Sequence, residues 1–154
     1  MEPKNLFSPT DTSPSQAAAE PEPAGQKPLR VLVIEDNRDA AETLGDLLGL
    51  FGHEVELAHT GPAGVEAAQR FRPDVVLCDI GLPGMDGYAV ARQLRRDPET
   101  AALRLVALTG YGRDSDRRQA EEAGFDLYLI KPVGPAELKT LLEGWAVSER
   151  GPGG

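Results

Sequence analysis

Five side chains at four places in this chain could together do chemistry that none could do alone. They are the carboxylates of Glu35, Asp36 and Asp79, the hydroxyl of Thr109 and the ammonium of Lys131. Each place closes a short run rich in Val, Ile and Leu, and the last two are followed by Gly110 and Pro132. Three carboxylates gathered in one pocket repel one another, and a divalent hard cation relieves the repulsion. Mg2+ suits such a pocket, because it keeps several waters and takes only a few carboxylates. A carboxylate held beside a cation and a lysine can act as a nucleophile toward a phosphoryl group, giving an acyl phosphate. Cation, ammonium and hydroxyl would each stabilise charge on the transferring oxygens.

For those side chains to meet, the elements that carry them must end at one rim. Five apolar runs, at residues 29–34, 54–58, 74–78, 103–108 and 126–130, alternate with helical patterns. Four are nearly continuous in branched aliphatics, as in parallel strands covered on both faces. The run at 54–58 alternates polar and apolar, which suits an edge strand. The first helical pattern repeats Ala41, Leu44, Leu48 and Phe51, with Asn37 as its N-cap and Gly52 as its stop. Further helices are expected over 62–71, 88–96 and 113–123, the last highly charged and weakly amphipathic. A fifth opens at Pro135, a favoured first-turn residue, and carries Leu138, Leu141, Leu142 and Trp145 on one face. This alternation implies a parallel sheet with right-handed crossovers. In open sheets of that kind the site lies beyond the carboxyl ends of the strands. In the strand order 2-1-3-4-5 the first, third, fourth and fifth strands adjoin, and all five side chains share a rim.

The 154 residues favour one domain, with a core that needs no staple. Residues 1–28 are rich in Pro, Ala, Ser and Glu without an apolar period, and are expected to be a disordered tail. The folded part is expected over 29–147, with a flexible tail at 148–154. The one cysteine, Cys78, lies in an apolar run and reads as a small buried residue. A net charge of -9 argues against direct nucleic-acid binding and against anionic membrane surfaces. No apolar stretch reaches the ~20 residues that cross a bilayer, and no signal-peptide core opens the chain. The default reading is cytoplasmic. His53 and His59 flank the second run without metal-ligand spacing, and read as ordinary residues away from the acidic rim.

The pair Glu35-Asp36, the stretch Asp79-Ile80-Gly81-Leu82-Pro83-Gly84-Met85-Asp86-Gly87, Thr109-Gly110 and Lys131-Pro132 resemble the receiver domain of two-component response regulators. The resemblance spans nearly the whole folded part. It implies a flavodoxin-like α/β/α sandwich, in three layers, with a five-stranded parallel sheet in the order 2-1-3-4-5 and five helices. It implies Asp79 as the phosphoacceptor. Asp36, Asp79 and the backbone carbonyl of Gly81 would ligate Mg2+, with Glu35 acting through water. Thr109 and Lys131 would contact the phosphoryl oxygens, and the Lys131–Pro132 bond would be cis. Tyr128 would turn inward as Thr109 moves, coupling the site to the face of the fourth helix, fifth strand and fifth helix. Tyr111 would shield the phosphoryl group, and with Gly81 two residues after the acceptor this implies slow self-dephosphorylation. The donor would be a histidine kinase or a histidine phosphotransfer protein, and the recipient of the signal an unidentified downstream protein on that face.

Aspartate-based phosphatases share the nucleophile and the metal, but need an acid two residues on, where this chain has Gly81. The expectation is therefore no enzyme beyond its own phosphorylation and autodephosphorylation. The loop Glu35-Asp36-Asn37-Arg38 lacks both glycine-rich nucleotide patterns. A binding module that has abandoned phosphorylation would typically lack Asp79, Thr109 or Lys131, all present here. A stand-alone receiver is favoured, with a receiver piece of a hybrid histidine kinase as the alternative.

Overall fold

Asn37, Thr60 and Asp86 each start a helix in the same way. Their side-chain oxygens accept from the backbone N–H three residues on, at Ala40 (2.9 Å), Ala63 (3.1 Å) and Ala89 (2.9 Å). Each bond satisfies one of the N–H groups a helix leaves without a partner at its start. Gly52, with φ at +95°, closes the first helix. Its N–H reaches Gly49 O and that of His53 reaches Leu48 O, so two terminal carbonyls are satisfied.

In this computed structural model, residues 28–110 and 114–148 are described. The strands are β1 (Arg30–Ile34), β2 (Glu54–Ala58), β3 (Val75–Asp79), β4 (Arg104–Thr109) and β5 (Leu127–Ile130). The helices are α1 (Arg38–Leu50), α2 (Gly61–Phe71), α3 (Gly87–Arg96), α4 (Asp114–Ala123) and α5 (Pro135–Ser148). The strands form one parallel sheet in the order β2-β1-β3-β4-β5, as expected. Residues 28–142 form one compact unit, and 143–148 continue α5 as helix. Of the expected tails at 1–28 and 148–154, residues 1–27 and 149–154 lie outside the described residues, as does Tyr111, while Ser148 still belongs to α5.

Side chains alternate along each strand and so divide the core in two. Leu32, Ile34, Val76, Cys78, Leu105 and Ala107 pack with α2, α3 and α4. Val31, Val33, Val75, Leu77, Val106 and Leu108 point to the opposite face, where α1 buries Ala41 and Leu48 and α5 buries Leu138 and Leu142.

One expectation is corrected. The run at 126–130 reads like a fully covered strand, yet Leu127 is 38% and Ile130 47% exposed. β5 is the second edge of the sheet, and an aliphatic run does not reveal how much of a strand its neighbours cover. His53 is a loop residue away from the acidic rim, as expected, and its Nδ1 accepts from the N–H of Leu29 (3.0 Å), just ahead of β1.

Candidate functional site

β3 is buried along its whole length, and its last residue is a carboxylate. The neighbouring strands keep Val, Leu and Ala beside it, so Asp79 emerges only where the strand stops. Parallel register pairs Asp79 with Leu108, and Ile34 with Cys78, which brings Glu35 level with Asp79 one step on. Glu35, Asp36 and Asp79 each offer an oxygen, and these lie within 4.8 Å of one another. Glu35 is 4% exposed and Asp79 8%, while Asp36 faces solvent.

Lys131 reaches this cluster from the end of β5. Its N–H donates to the carbonyl of Thr109 (2.7 Å), which fixes the backbone at the rim. Its Nζ donates to Glu35 Oε1 (2.8 Å) and stands 3.4 Å from Asp79 Oδ2. Burial pulls the ammonium's pKa down, but the Glu35 hydrogen bond and the charges of Asp79 and Glu35 outweigh it, so the pKa stands above the ordinary lysine value. One ammonium against three carboxylates leaves uncompensated negative charge in a half-buried pocket, and the donors are hard oxygens. That set fits a small divalent cation. The Lys131–Pro132 peptide is cis.

The stretch after Asp79 divides its labour residue by residue. The N–H of Gly81 donates to Asp79 Oδ1 (2.9 Å) and orients the carboxylate. Asp86 caps α3. A Cβ on Gly87 would stand 2.5 Å from Ile80 Cα and 2.6 Å from Asp79 O, so only glycine lets α3 start this close to the end of β3. Thr109 ends β4, 2% exposed. Tyr128 lies beside Ala107 on β5, half-buried, with the Arg117 guanidinium 5.4 Å above its ring. Burial, with the Asp79 charge next, pushes the Cys78 thiol's pKa up, so it stays protonated.

The structure therefore brings Glu35, Asp36, Asp79 and Lys131 together, with Gly81 bonded to Asp79 and Thr109 bonded through its backbone to Lys131. Sequence reasoning missed two contacts. The N–H of Asn37 donates to Glu35 Oε2 (3.1 Å). His59, expected away from the acidic rim, stands on it, with Nδ1 3.1 Å from the Glu35 carbonyl oxygen. The sheet register creates that contact across 24 residues, and no spacing rule reports it.

A doubly wound parallel sheet with this acid–lysine rim is the arrangement the sequence led us to expect of a signalling domain. The chain belongs to the response regulator receiver domain family, whose profile matches residues 31–143. It is 36% identical over 104 residues to Protein PilH of Pseudomonas aeruginosa, covering 68% of this chain and 86% of that one. It is 35% identical over 105 residues to the gliding motility regulatory protein of Myxococcus xanthus, covering 68% of this chain but 14% of that one. Among solved structures, it resembles the receiver domain of a sensor histidine kinase from Pseudomonas aeruginosa, with a TM-score of 0.72 and 32% identity. That match covers 78% of this chain and 98% of the other, which holds a magnesium ion in its active site cleft. Receiver domains interact with histidine kinases or phosphotransfer proteins. Among the described residues, no helix is long and apolar enough to cross a membrane.

Proposed function

We propose that this chain takes a phosphoryl group onto Asp79 from a histidine kinase or histidine phosphotransfer protein, and in that state presents a changed face to a downstream protein. One observation carries the reading. The Asp79 carboxylate lies among two further carboxylates and 3.4 Å from a lysine, at the end of a buried central strand. An Asp79 oxygen attacks phosphorus, the donor's P–N bond breaks, and the electron pair leaves with the donor imidazole. Lys131 meets the charge on the phosphoryl oxygens from one side and Thr109 from another. Asp36, Asp79 and the Gly81 carbonyl would hold Mg2+, with Glu35 acting through water. Bound there, Mg2+ supplies neutralising charge to the transferring oxygens. The Gly81 N–H keeps the nucleophile oriented. Gly81 provides no acid for a leaving group, so turnover of outside phosphate esters is not part of the proposal.

The switch we assign runs through Thr109 and Tyr128 to α4, β5 and α5, since phosphorylation adds charge at the rim. Tyr111 completes the proposal as a shield over the phosphoryl group. The working domain is 29–147, and the setting cytoplasmic. Similarity over most of PilH favours a stand-alone receiver. The myxococcal relative, matched over a small fraction of its length, keeps the hybrid-kinase alternative in view.

The test is intact mass spectrometry after incubation with acetyl phosphate. The expected result is a single added phosphoryl group that needs Mg2+ and is absent from Asp79→Asn. No adduct, with no response to beryllofluoride, would sink the proposal and leave a binding module on the same fold.

A further inference from the structure

Four hydrogen bonds converge on Glu35. Its N–H donates to Ala58 O (2.9 Å), the last rung between β1 and β2. Its carboxylate accepts from Lys131 Nζ and the Asn37 N–H. Its carbonyl oxygen lies 3.1 Å from His59 Nδ1. A carbonyl can only accept, so Nδ1 carries the proton and the imidazole is the donor. Thr60, the next residue, has its side chain committed to capping α2. Gly61 then approaches the acceptor loop so closely that a Cβ there would stand 2.7 Å from Met85 O. The turn from Ala58 to Gly61 thus touches both halves of the rim, the acidic pair through His59 and the acceptor loop through Gly61.

We propose that His59 is a positioning residue for the cation site, holding the Glu35 backbone so that the acidic pair faces Asp79 at a fixed separation. The inference rests on the cation reading above. Carboxylates that must share one small ion tolerate little displacement, since Mg2+ demands near-octahedral geometry. Losing a hydrogen-bond partner behind a ligand typically costs ~10–100-fold in metal affinity. Here the bond acts on the backbone of a ligand that works through water, so the expected loss is about three- to tenfold.

The test is calorimetric titration of Mg2+ into the unphosphorylated protein at fixed pH, in wild type, His59→Ala, His59→Phe and His59→Asn. Phe keeps a ring but has no donor, whereas the Asn amide nitrogen stands where Nδ1 does. Expected are weaker Mg2+ binding in the Ala and Phe variants and recovery to within about twofold in Asn. Melting in EDTA reports folding separately from ion binding. Wild-type affinity in Ala and Phe, or loss in Asn equal to that in Ala, would overturn the role of His59 and leave the site reading intact. A wild type that binds no Mg2+ would overturn both.

Discussion

Lys131 has two duties that pull in opposite directions. Its ammonium pairs with Glu35 and Asp79 before any cation arrives, and on the proposed function it stabilises the phosphoryl oxygens afterwards. Lys131→Met separates them. Mg2+ affinity, read by calorimetry, should stay equal or rise, because a competing positive charge is gone. The rate of acetyl phosphate uptake, read by mass spectrometry, should fall about 100-fold, the scale for removing one donor from a developing charge. Equal losses of affinity and rate would mean that the lysine only holds the pocket together. The pairing also has a pH signature. The folded pKa is raised above the ordinary value of 10.5. The stabilisation is therefore fully present below that value, and is lost as pH rises through the folded one. Melting temperatures between pH 9 and 12 should show an alkaline decline that is shallower in Lys131→Met.

Among the elements, α4 is the one whose attachment the sequence leaves least determined. Its composition is charged, and it buries Ala120 and Ala123. The Tyr88 hydroxyl, from the first turn of α3, donates to the Asp116 carbonyl at 3.4 Å. Burial, with the Asp116 charge next, raises the phenol's pKa, so it remains a donor at neutral pH. Tyr88→Phe removes a bond worth ~1 kcal/mol. Amide hydrogen exchange in the first turn of α4 should then quicken about fivefold, with α1 and β3 unchanged. Unchanged exchange in α4 would mean that this long bond holds nothing.

The same contrast shows what was legible beforehand. Strands and helix starts were readable because local rules write them: aliphatic runs for buried strands, Asn37 as a cap, Pro135 as an opening. The acidic pair, Asp79, Thr109 and Lys131 were readable because a parallel sheet delivers its functional residues at strand ends. His59 on Glu35 and Tyr88 on Asp116 were not. Each joins a side chain to a backbone carbonyl made adjacent by register or packing, and any residue type supplies a carbonyl.

For the molecule as a whole, Arg95 does what the hydrophobic layers do not. From α3 its Nε reaches Gly124 O (2.8 Å) and its Nη1 reaches Ala101 O (2.7 Å) and Leu103 O (2.6 Å). Nη2 pairs with Asp126 Oδ2 (2.9 Å), which also accepts from the Leu105 N–H (2.8 Å). One guanidinium thus ties α3, the approach to β4 and the approach to β5. Arg95→Ala should lower stability by about 2–3 kcal/mol, on the scale of hydrogen bonds to charged groups. It should appear as a lower urea midpoint with unchanged slope. A changed slope would point instead to a looser native state.

Cys78, buried in the central strand beside Asp79, turns the chain into its own reporter. Thiol reagents attack the thiolate, and this thiol is both enclosed and kept protonated. Labelling must wait until the middle of the sheet opens, so its rate in native buffer measures the population of opened molecules. With one cysteine in the chain, no second site confuses the signal. A ligand that binds only the closed form slows labelling in proportion to its occupancy. A stopwatch and a thiol dye could therefore weigh magnesium, beryllofluoride or a partner protein against the fold, with no tag attached and no residue changed.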